Sequence, residues 1–365
     1  MKIPAFLLTL AALAAATHHA AAQGGSLTPP PGVPAPTMKS LDQVEARTPL
    51  VAGQPGVSID ANGTITISQP GSYYLTKNLT ITTASAHGIA IGSDDVTLDL
   101  NGFVLICTTV NGGNAVSLTS NRRGITIRNG RILGGSTQTS GTFTLAGWDK
   151  GVSGSMVPGA TGRVSDVSVR GVRTDGITMG ANTSSAVERC MVDTCGDVGI
   201  EAGSVLDCSV RNSGNTAILI PTTISAGIVS RSYGECVGAS GSGIIGLGAV
   251  MENSRGIAVG GYGIHAFTAT NSSGESSSSY GLSVENANNC VGESNSGIGL
   301  RAQCATNCLG FCDTGSFGME ISGTASFCRG SRPGGIAISA PIAIGCTAIT
   351  GGGTITSAQK HLGTP

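Results

Sequence analysis

The feature that most constrains the fold of this chain is a pair of residues, one small and one apolar, that recurs along its second half. The last four spacings of this pair are 18, 18, 19 and 17 residues. The pairs are Gly176-Ile177, Gly199-Ile200, Ala217-Ile218, Gly263-Ile264, Gly281-Leu282, Gly299-Leu300, Gly318-Met319 and Gly335-Ile336. A unit of this length cannot bury its own apolar face, so the repeats must stack on one another.

Each unit also contains a short stretch in which apolar and polar residues alternate, closely followed by glycine. These stretches lie at 96–100, 125–128, 167–170, 190–193 and 208–211. Such alternation indicates a strand with one buried face. The sequence therefore predicts an all-β protein, a single-stranded right-handed parallel β-helix of about 12 coils, each of roughly 18 to 25 residues, with an N-terminal cap.

The composition agrees with this prediction. Glycine accounts for 57 of 365 residues and charged residues for only 11%, which disfavours a helical protein. The apolar content of 40% and the net charge of −1 disfavour a disordered chain. The slightly negative charge and the lack of an aromatic-basic motif also disfavour nucleic acid as a partner.

The first residues are typical of an export signal. Lys2 supplies a positive charge, residues 6–16 form an apolar run, and Ala20-Ala21-Ala22 offers a small-residue cleavage site. The apolar run is too short to span a bilayer, and no later segment is long and apolar enough. We therefore expect an exported protein, periplasmic or extracellular, with no membrane span.

The remaining chain divides into four predicted segments. Residues 23–56 are a proline-rich lead-in, and residues 57–87 form an N-terminal β cap with turns at Asn62-Gly63 and Pro70-Gly71. The β-helix is predicted at 88–356, followed by a C-terminal tail at 357–365. No composition break suggests a second domain, and the sequence does not predict the oligomeric state.

The cysteines follow the repeat. Their equivalent positions predict a column of inward thiols, one per coil, that behave as small apolar side chains. The column members are Cys190 and Cys208, 18 residues apart, and Cys290, Cys308, Cys328 and Cys346 at spacings of 18, 20 and 18. A disulfide between neighbouring coils stays open, because export permits it. Cys304, Cys308 and Cys312 lack a nearby histidine, so no metal site is predicted.

A second column precedes the repeat glycine. It consists of Tyr262, Tyr280, Ile298 and Phe317. Stacked aromatic and apolar side chains along a solenoid favour packing over a sugar-binding platform. His265, alone on its repeat, is interpreted as a surface or cap residue.

The coil pattern, together with the stretch Ser-Asp-Asp-Val-Thr-Leu-Asp-Leu-Asn-Gly at 93–102, resembles the pectin-lyase-like right-handed β-helix superfamily. The lead-in at 36–45 and the segment at 71–75 resemble a group of exported bacterial β-helix proteins. The resemblance covers nearly the whole mature chain, but its motifs specify architecture and not chemistry.

Many members of this superfamily cleave or modify acidic polysaccharides, so the resemblance implies that their catalytic residues could have counterparts in this chain. Residues 173–177 are similar to the Asn-Thr-Asp stretch of polygalacturonases, with Arg173 in place of asparagine, but the paired aspartates and the Gly-His-Gly motif are absent. The lyases resemble one another in using an arginine base beside aspartate-bound calcium; no aspartate cluster supports calcium here, so no cofactor is predicted. The weak catalytic candidates are Asp175, Arg170 and Arg173.

Charge placement gives the binding candidates. Residues 121–174 carry eight basic and two acidic residues, and residues 175–207 carry six acidic residues and one basic residue. We align Arg128 with Arg170 and Arg131 with Arg173, which predicts one patch of four guanidinium groups suited to carboxylate or sulfate. Trp148, in an excursion at 134–150, is the candidate sugar platform.

A simpler interpretation of the same charges stays open. The arginines can pair with aspartates in neighbouring coils, such as Asp99 and Asp193, as part of a solvated face. Three functions therefore remain. The favoured one is a non-catalytic binding or display module for acidic polysaccharide. The alternatives are a polysaccharide lyase or glycoside hydrolase with an atypical site, and a structural envelope rod.

Overall fold

A computed structural model of the protein describes residues 46–119, 121–154, 161–180, 183–349, 351 and 353–360. These residues form an all-β, right-handed parallel β-helix of about 14 turns, so the predicted fold class is confirmed. No helix occurs in this part of the chain, and hence none that is long and apolar enough to cross a membrane. The predicted signal peptide and the lead-in up to residue 45 lie outside the described residues.

Each turn contributes one strand to each of three parallel sheets, which we call sheets 1, 2 and 3 in chain order. Sheet 1 contains Thr48–Pro49, Gly71–Tyr74, Val96–Asp99, Ser185–Glu188, Ser204–Leu206, Ile228–Ser230, Asn286–Asn288, Cys304–Thr306 and Thr324–Ser326. Sheet 2 contains Leu79–Ile81, Val104–Cys107, Met191–Cys195, Ser209–Ser213, Tyr233–Cys236, Arg255–Ala258, Ser273–Ser276, Val291–Ser294, Leu309–Cys312, Arg329–Ser331 and Thr347–Ala348. Sheet 3 contains Ile65–Ile67, Ile89–Ile91, Val116–Leu118, Val152–Ser153, Ile177–Thr178, Ile200–Glu201, Thr216–Leu219, Tyr280–Ser283, Ile298–Ala302 and Phe317–Ile321.

Longer strands turn a corner of the prism and belong to two sheets. Ile125–Leu133 and Gly162–Val172 run from sheet 1 into sheet 2. Those that run from sheet 3 into sheet 1 are Ser242–Glu252, Ile264–Thr270, Ile336–Ile344 and Thr354–Lys360. Two antiparallel pairs complete the strands: Val57–Ile59 with Ile65–Ile67, and Thr137–Thr139 with Thr142–Thr144 in the excursion.

The parallel ladder starts earlier in the chain than the sequence indicated. Strand Gly71–Tyr74 pairs in parallel with Val96–Asp99, and Ile65–Ile67 pairs with Ile89–Ile91. Residues assigned from sequence to a cap therefore already form turns of the solenoid. This is one reason why the turns outnumber the dozen expected.

The recurring apolar residue forms one continuous column inside sheet 3. Its members, joined by strand register, are Ile65, Ile89, Val116, Val152, Ile177, Ile200, Ile218, Ile244, Ile264, Leu282, Leu300, Met319, Ile338 and Ile355. The predicted last unit at Gly335-Ile336 is wrong by two residues, because Met319 pairs with Ile338 whereas Ile336 pairs with Phe317.

The core becomes narrower along the chain because the other two sheets lose side-chain volume. The inward column of sheet 2 changes from Leu105, Ile132 and three valines to a run of glycines, from Gly234 to Gly330. A Cβ on Gly274 would lie 2.0 Å from the Gly281 carbonyl oxygen in sheet 3. The sheets therefore approach so closely that no side chain fits between them at this column.

The corner between sheets 1 and 2 is a single residue with positive φ on each successive turn. These residues are Asn129, Asp166, Arg189, Asp207, Arg231, Asn253, Asn271, Asn289, Asn307, Phe327 and Gly345. Asparagine and aspartate adopt this left-handed conformation more easily than other non-glycine residues, because their short polar side chains bond locally.

From Arg189 onward, the residue after the corner is a cysteine or a serine up to Cys346, and the predicted inward position of the six column thiols is confirmed. The six column cysteines are buried, and Ser232, Ser254 and Ser272 fill the turns between Cys208 and Cys290. Ser254 Oγ donates to the Glu252 carbonyl oxygen (2.8 Å), and Cys308 Sγ donates to that of Thr306 (3.2 Å). The thiols thus act like serine hydroxyls within the corner, and all eleven cysteines are free.

The corner gives a stability prediction. Phe327 has φ 53° and is 62% exposed, so a bulky side chain occupies a conformation that penalises it. Phe327→Asn should raise the free energy of unfolding by about 1 kcal/mol, measured by chemical denaturation. The reciprocal change on the preceding turn, Asn307→Phe, should lower it by a similar amount. Equal stability of the two variants would contradict this account of the corner.

Candidate functional site

A groove of 720 Å³ runs along the outside of sheet 3, where the chain turns towards sheet 1. The residues of the groove that carry its chemistry are Leu247, His265, Phe267, Arg301, Gln303 and Glu320. Half-exposed Phe267 (49%) and Leu247 (45%) give it an apolar surface. A concave site with apolar walls and a few polar groups is the usual form of a ligand-binding surface.

The strand register explains why the polar groups of the groove form a line. His265 pairs with Ser283, Ser283 with Arg301, and Arg301 with Glu320. Each follows a buried residue of the sheet 3 column and therefore points outward, since strand side chains alternate. Stacking at about 4.8 Å per turn thus converts repeat positions into a continuous row of outward side chains.

The aromatic column beside this row packs against itself. The rings of Tyr262 and Tyr280 stack with centroids 5.3 Å apart and an angle of 9° between their planes. The His265 ring stacks on Tyr262 at 4.2 Å, and the Arg301 guanidinium lies 5.6 Å from the centroid of Tyr280. These ring faces cover one another, so the tyrosines hold His265 and Arg301 in place, as the packing interpretation expected.

The surroundings of His265 in this groove favour its neutral form. Burial is the main cause that lowers its pKa, and the positive charge of Arg301 lowers it further. A neutral imidazole has one donor and one acceptor nitrogen, which suits hydroxyl groups of a ligand.

The charges of the groove do not favour a polyanion. Arg301 Nε lies 3.4 Å from Glu320 Oε2, so its charge is already paired. Glu285 adds a further carboxylate to the groove lining. The charged groups of the lining are one arginine and two glutamates, which would repel rather than attract a chain of uronic acids.

The predicted arginine patch is not formed, because the assumed alignment is wrong. Arg128 lies in sheet 1 opposite Ser165, whereas Arg170 lies in sheet 2 opposite Leu133. Arg131 is also in sheet 2, where it lines a shallower depression of 450 Å³ with Asp166 and Arg189. The four arginines are thus spread over different faces and corners.

Instead, the basic and acidic bands pair across neighbouring turns, as the simpler interpretation proposed. Arg128 Nη2 lies 3.3 Å from Asp99 Oδ2, and Arg170 Nε lies 3.8 Å from Asp193 Oδ2. Arg173 Nη1 lies 3.6 Å from Asp149 Oδ1. Each of these pairs joins residues on neighbouring turns, so stacking brings opposite charges together.

Trp148 is not a surface platform. The side chain has no exposed area, and its Nε1 donates to the Leu105 carbonyl oxygen at 3.4 Å. The excursion carries its own hairpin outward and then returns the chain to the core, where the indole ring packs. The prediction that Trp148 offers its ring to a sugar is therefore wrong.

Asp175, the catalytic candidate, is buried in an ion pair with Lys150 (2.6 Å between Nζ and Oδ2). Arg173, a second catalytic candidate, forms its ion pair with Asp149 and not with Asp175. Within the described residues, no group of three or more histidine, cysteine, aspartate or glutamate side chains is arranged to hold a metal ion.

Neither the groove nor the burial of Glu201 is predicted from the sequence. The groove could have been found from the repeat itself, since His265, Arg301 and Glu320 follow the sheet 3 apolar residue directly on their turns. Glu201 occupies the same outward position next to Ile200, opposite Thr178. The sequence alone indicates only that Glu201 belongs to the acidic stretch at 175–207.

His265 gives a pH prediction. Because the folded state lowers the pKa of this imidazole, the unfolded chain binds its proton more readily. The contribution of neutral His265 to stability is therefore complete well above the ordinary pKa of about 6.5 and is lost as pH falls below it. The melting temperature of the protein should fall more steeply in this range than that of His265→Gln. The groove variant Gln303→Ala, which removes no titratable group, should keep the steeper slope, and identical slopes for all three proteins would contradict the assignment.

Comparison with known proteins gives only distant likenesses. No protein-family model and no curated protein matches the chain. It is similar to the receptor-binding protein of bacteriophage Det7, a podoviral tailspike in a myovirus, with 13% identity over 80% of this chain and 72% of that one, at a TM-score of 0.33. The Dettilon tailspike protein shows 12% identity over 81% of this chain and 60% of its own, at a TM-score of 0.28.

A third solved structure, the enzymatically active domain of tailspike protein 2 of bacteriophage CBA120, shows 12% identity over 79% of this chain and 43% of that one, at a TM-score of 0.28. The chain therefore spans less than two thirds of the length of the second and third of these proteins. Likenesses at this level assign no function to it.

Proposed function

We propose that this protein is an exported β-solenoid that binds a polysaccharide of neutral sugars in the sheet 3 groove and does not cleave it. The observation that carries this proposal is the outward row of His265, Arg301 and Glu320 beside the exposed ring of Phe267. The signal-like sequence at 1–22 supports export. The stretch at 93–102 and the stacked coils support membership of the pectin-lyase-like superfamily.

The shape of the groove supports an extended ligand. Its lining runs from Leu247 through the turns of His265, Ser283 and Arg301 to Pro341. With turns about 4.8 Å apart, this row of six successive turns extends for roughly 24 Å along the solenoid axis. Such a length suits several sugar units of one chain better than a single small molecule.

The chemistry of the groove supports neutral sugars over acidic ones. Phe267 offers an apolar ring to the C–H face of a sugar, and neutral His265 exchanges hydrogen bonds with hydroxyl groups. The paired Arg301 and Glu320 together bond hydroxyl donors and acceptors without attracting net charge. The acidic ligand expected from the arginine patch loses its main support, since those arginines are paired elsewhere.

The binding proposal is tested by affinity electrophoresis of the protein in gels that contain neutral or uronic-acid polysaccharides. Retardation is expected in a neutral polymer, and Phe267→Ala should weaken it about tenfold, because loss of one ring contact costs roughly 1 kcal/mol or slightly more. Arg301→Ala should also weaken binding, since it frees Glu320 and removes the cation from Tyr280.

Val259→Ala serves as the matched control, because Val259 is similarly exposed (45%) but does not line the groove. Its retardation should equal that of the unchanged protein. Retardation only in uronic-acid gels, or equal binding by all variants, would overturn the groove as the site. Release of reducing ends from the bound polymer would show that the protein is a hydrolase, and release of unsaturated ends would show that it is a lyase.

A further inference from the structure

Lys150 and Asp175 form a close and largely buried pair that links two neighbouring turns. Lys150 Nζ lies 2.6 Å from Asp175 Oδ2, with the two side chains 30% and 11% exposed. Lys150 stands just before Val152–Ser153, and Asp175 just before Ile177–Thr178, the strand paired with it. The backbone amide of Gly151 also donates to the Asp175 carbonyl oxygen at 3.0 Å. The amine and the carboxyl group are therefore held together by the register of the sheet.

The Asp175 carboxyl group is fixed by further contacts. The backbone amide of Val198 donates to Oδ1 at 3.1 Å, and Thr178 Oγ1 lies 3.3 Å from Oδ2. These contacts come from the next turn and from the same turn, respectively. A carboxyl group held on both oxygens cannot rotate away from the lysine, so the two reacting groups stay in contact distance.

A second buried carboxyl group, that of Glu201, lies on the turn that follows this pair. It lies on the turn after Asp175, opposite Thr178, and is 6% exposed. Within the part of the chain that the structure describes, its carboxyl group makes no hydrogen bond or ion pair. Burial raises its pKa, the charges of Asp175 and Asp197 raise it further, and Lys150 acts in the opposite direction. A buried carboxylic acid without a partner calls for an explanation, because such groups are rarely left unsatisfied.

We propose that Lys150 and Asp175 are joined by an intramolecular isopeptide bond, with Glu201 as the group that moves the protons of the reaction. The bond links two turns of the solenoid covalently. It goes beyond polysaccharide binding and does not depend on it.

The reaction balances without any further reagent. A proton first passes from the Lys150 ammonium group to the Asp175 carboxyl group, which leaves a neutral amine beside a carboxylic acid. Nζ then attacks the carboxyl carbon, the new C–N bond forms, and one C–O bond breaks. Glu201 donates its proton to the departing oxygen and regains one from the nitrogen, so that one water molecule leaves and Glu201 ends unchanged.

The surroundings favour this product. Asp175 stands two residues before the core residue Ile177 and is 8% exposed, so little water reaches the carboxyl carbon that would be hydrolysed in the amide. The ion pair costs free energy to bury, whereas a neutral amide removes both charges. The link also lies where the excursion at 134–150 rejoins the solenoid, so it closes the turn that the excursion interrupts.

Peptide mapping of the purified full-length protein by mass spectrometry tests the proposal. We expect trypsin not to cleave after Lys150, and the peptides that contain Lys150 and Asp175 to appear joined, with a mass lower than their sum by one water molecule. Recovery of both peptides unlinked in full yield would overturn the proposal.

Three variants assign the roles. Lys150→Arg keeps a cation beside Asp175 but offers no amine, so it should give only unlinked peptides. Glu201→Gln should leave most of the protein unlinked, and a full yield of linked peptide in this variant would overturn the role of Glu201. Lys77→Arg, at an exposed lysine, should link like the unchanged protein. Circular dichroism confirms that each variant keeps its β structure.

Discussion

The in-register parallel pairing of each turn with the next is the constraint on which the rest of the structure depends. It satisfies the backbone hydrogen bonds of all three sheets and places equivalent residues directly above one another. A large apolar residue on one turn is therefore covered best where its equivalents on the neighbouring turns are apolar as well. The unbroken column from Ile65 to Ile355 shows how strictly the sequence obeys this requirement.

The corner between sheets 1 and 2 shows how the same stacking provides hydrogen bonds for buried polar groups. One residue per turn adopts a left-handed conformation, and from Arg189 onward a serine or cysteine that follows it directs its hydroxyl or thiol group back to a backbone carbonyl. A buried hydroxyl or thiol without a partner would cost free energy on every turn, so a regular hydrogen bond at this position matters for the whole solenoid. Serine and cysteine are interchangeable here because both are small and both can donate.

The register also stacks the outward side chains, but the contacts that these side chains make differ between the two halves of the solenoid. In the first half, charges of opposite sign fall on neighbouring turns and neutralise each other, as Arg189 and Asp166 do. In the second half, shorter turns and a narrower core line up His265, Arg301 and Glu320 beside stacked tyrosines. The groove and the Lys150–Asp175 pair are thus two results of one geometry, an open row of side chains on one segment and a closed contact on another.

The sequence by itself determined the fold class, the inward apolar column and the cysteine column, because each depends only on residue type at a fixed spacing. It placed the last repeat two residues too early at Gly335-Ile336, since local spacing cannot show which of two nearby apolar residues continues the column. Only the tertiary structure decided that Arg128 and Arg170 lie in different sheets, that Trp148 is buried, and that Glu201 is buried opposite Thr178 on the turn after Asp175. The physical reason is that turn length varies along the chain, so the partner of an outward side chain is set by the stacking of whole turns and not by its own sequence neighbours.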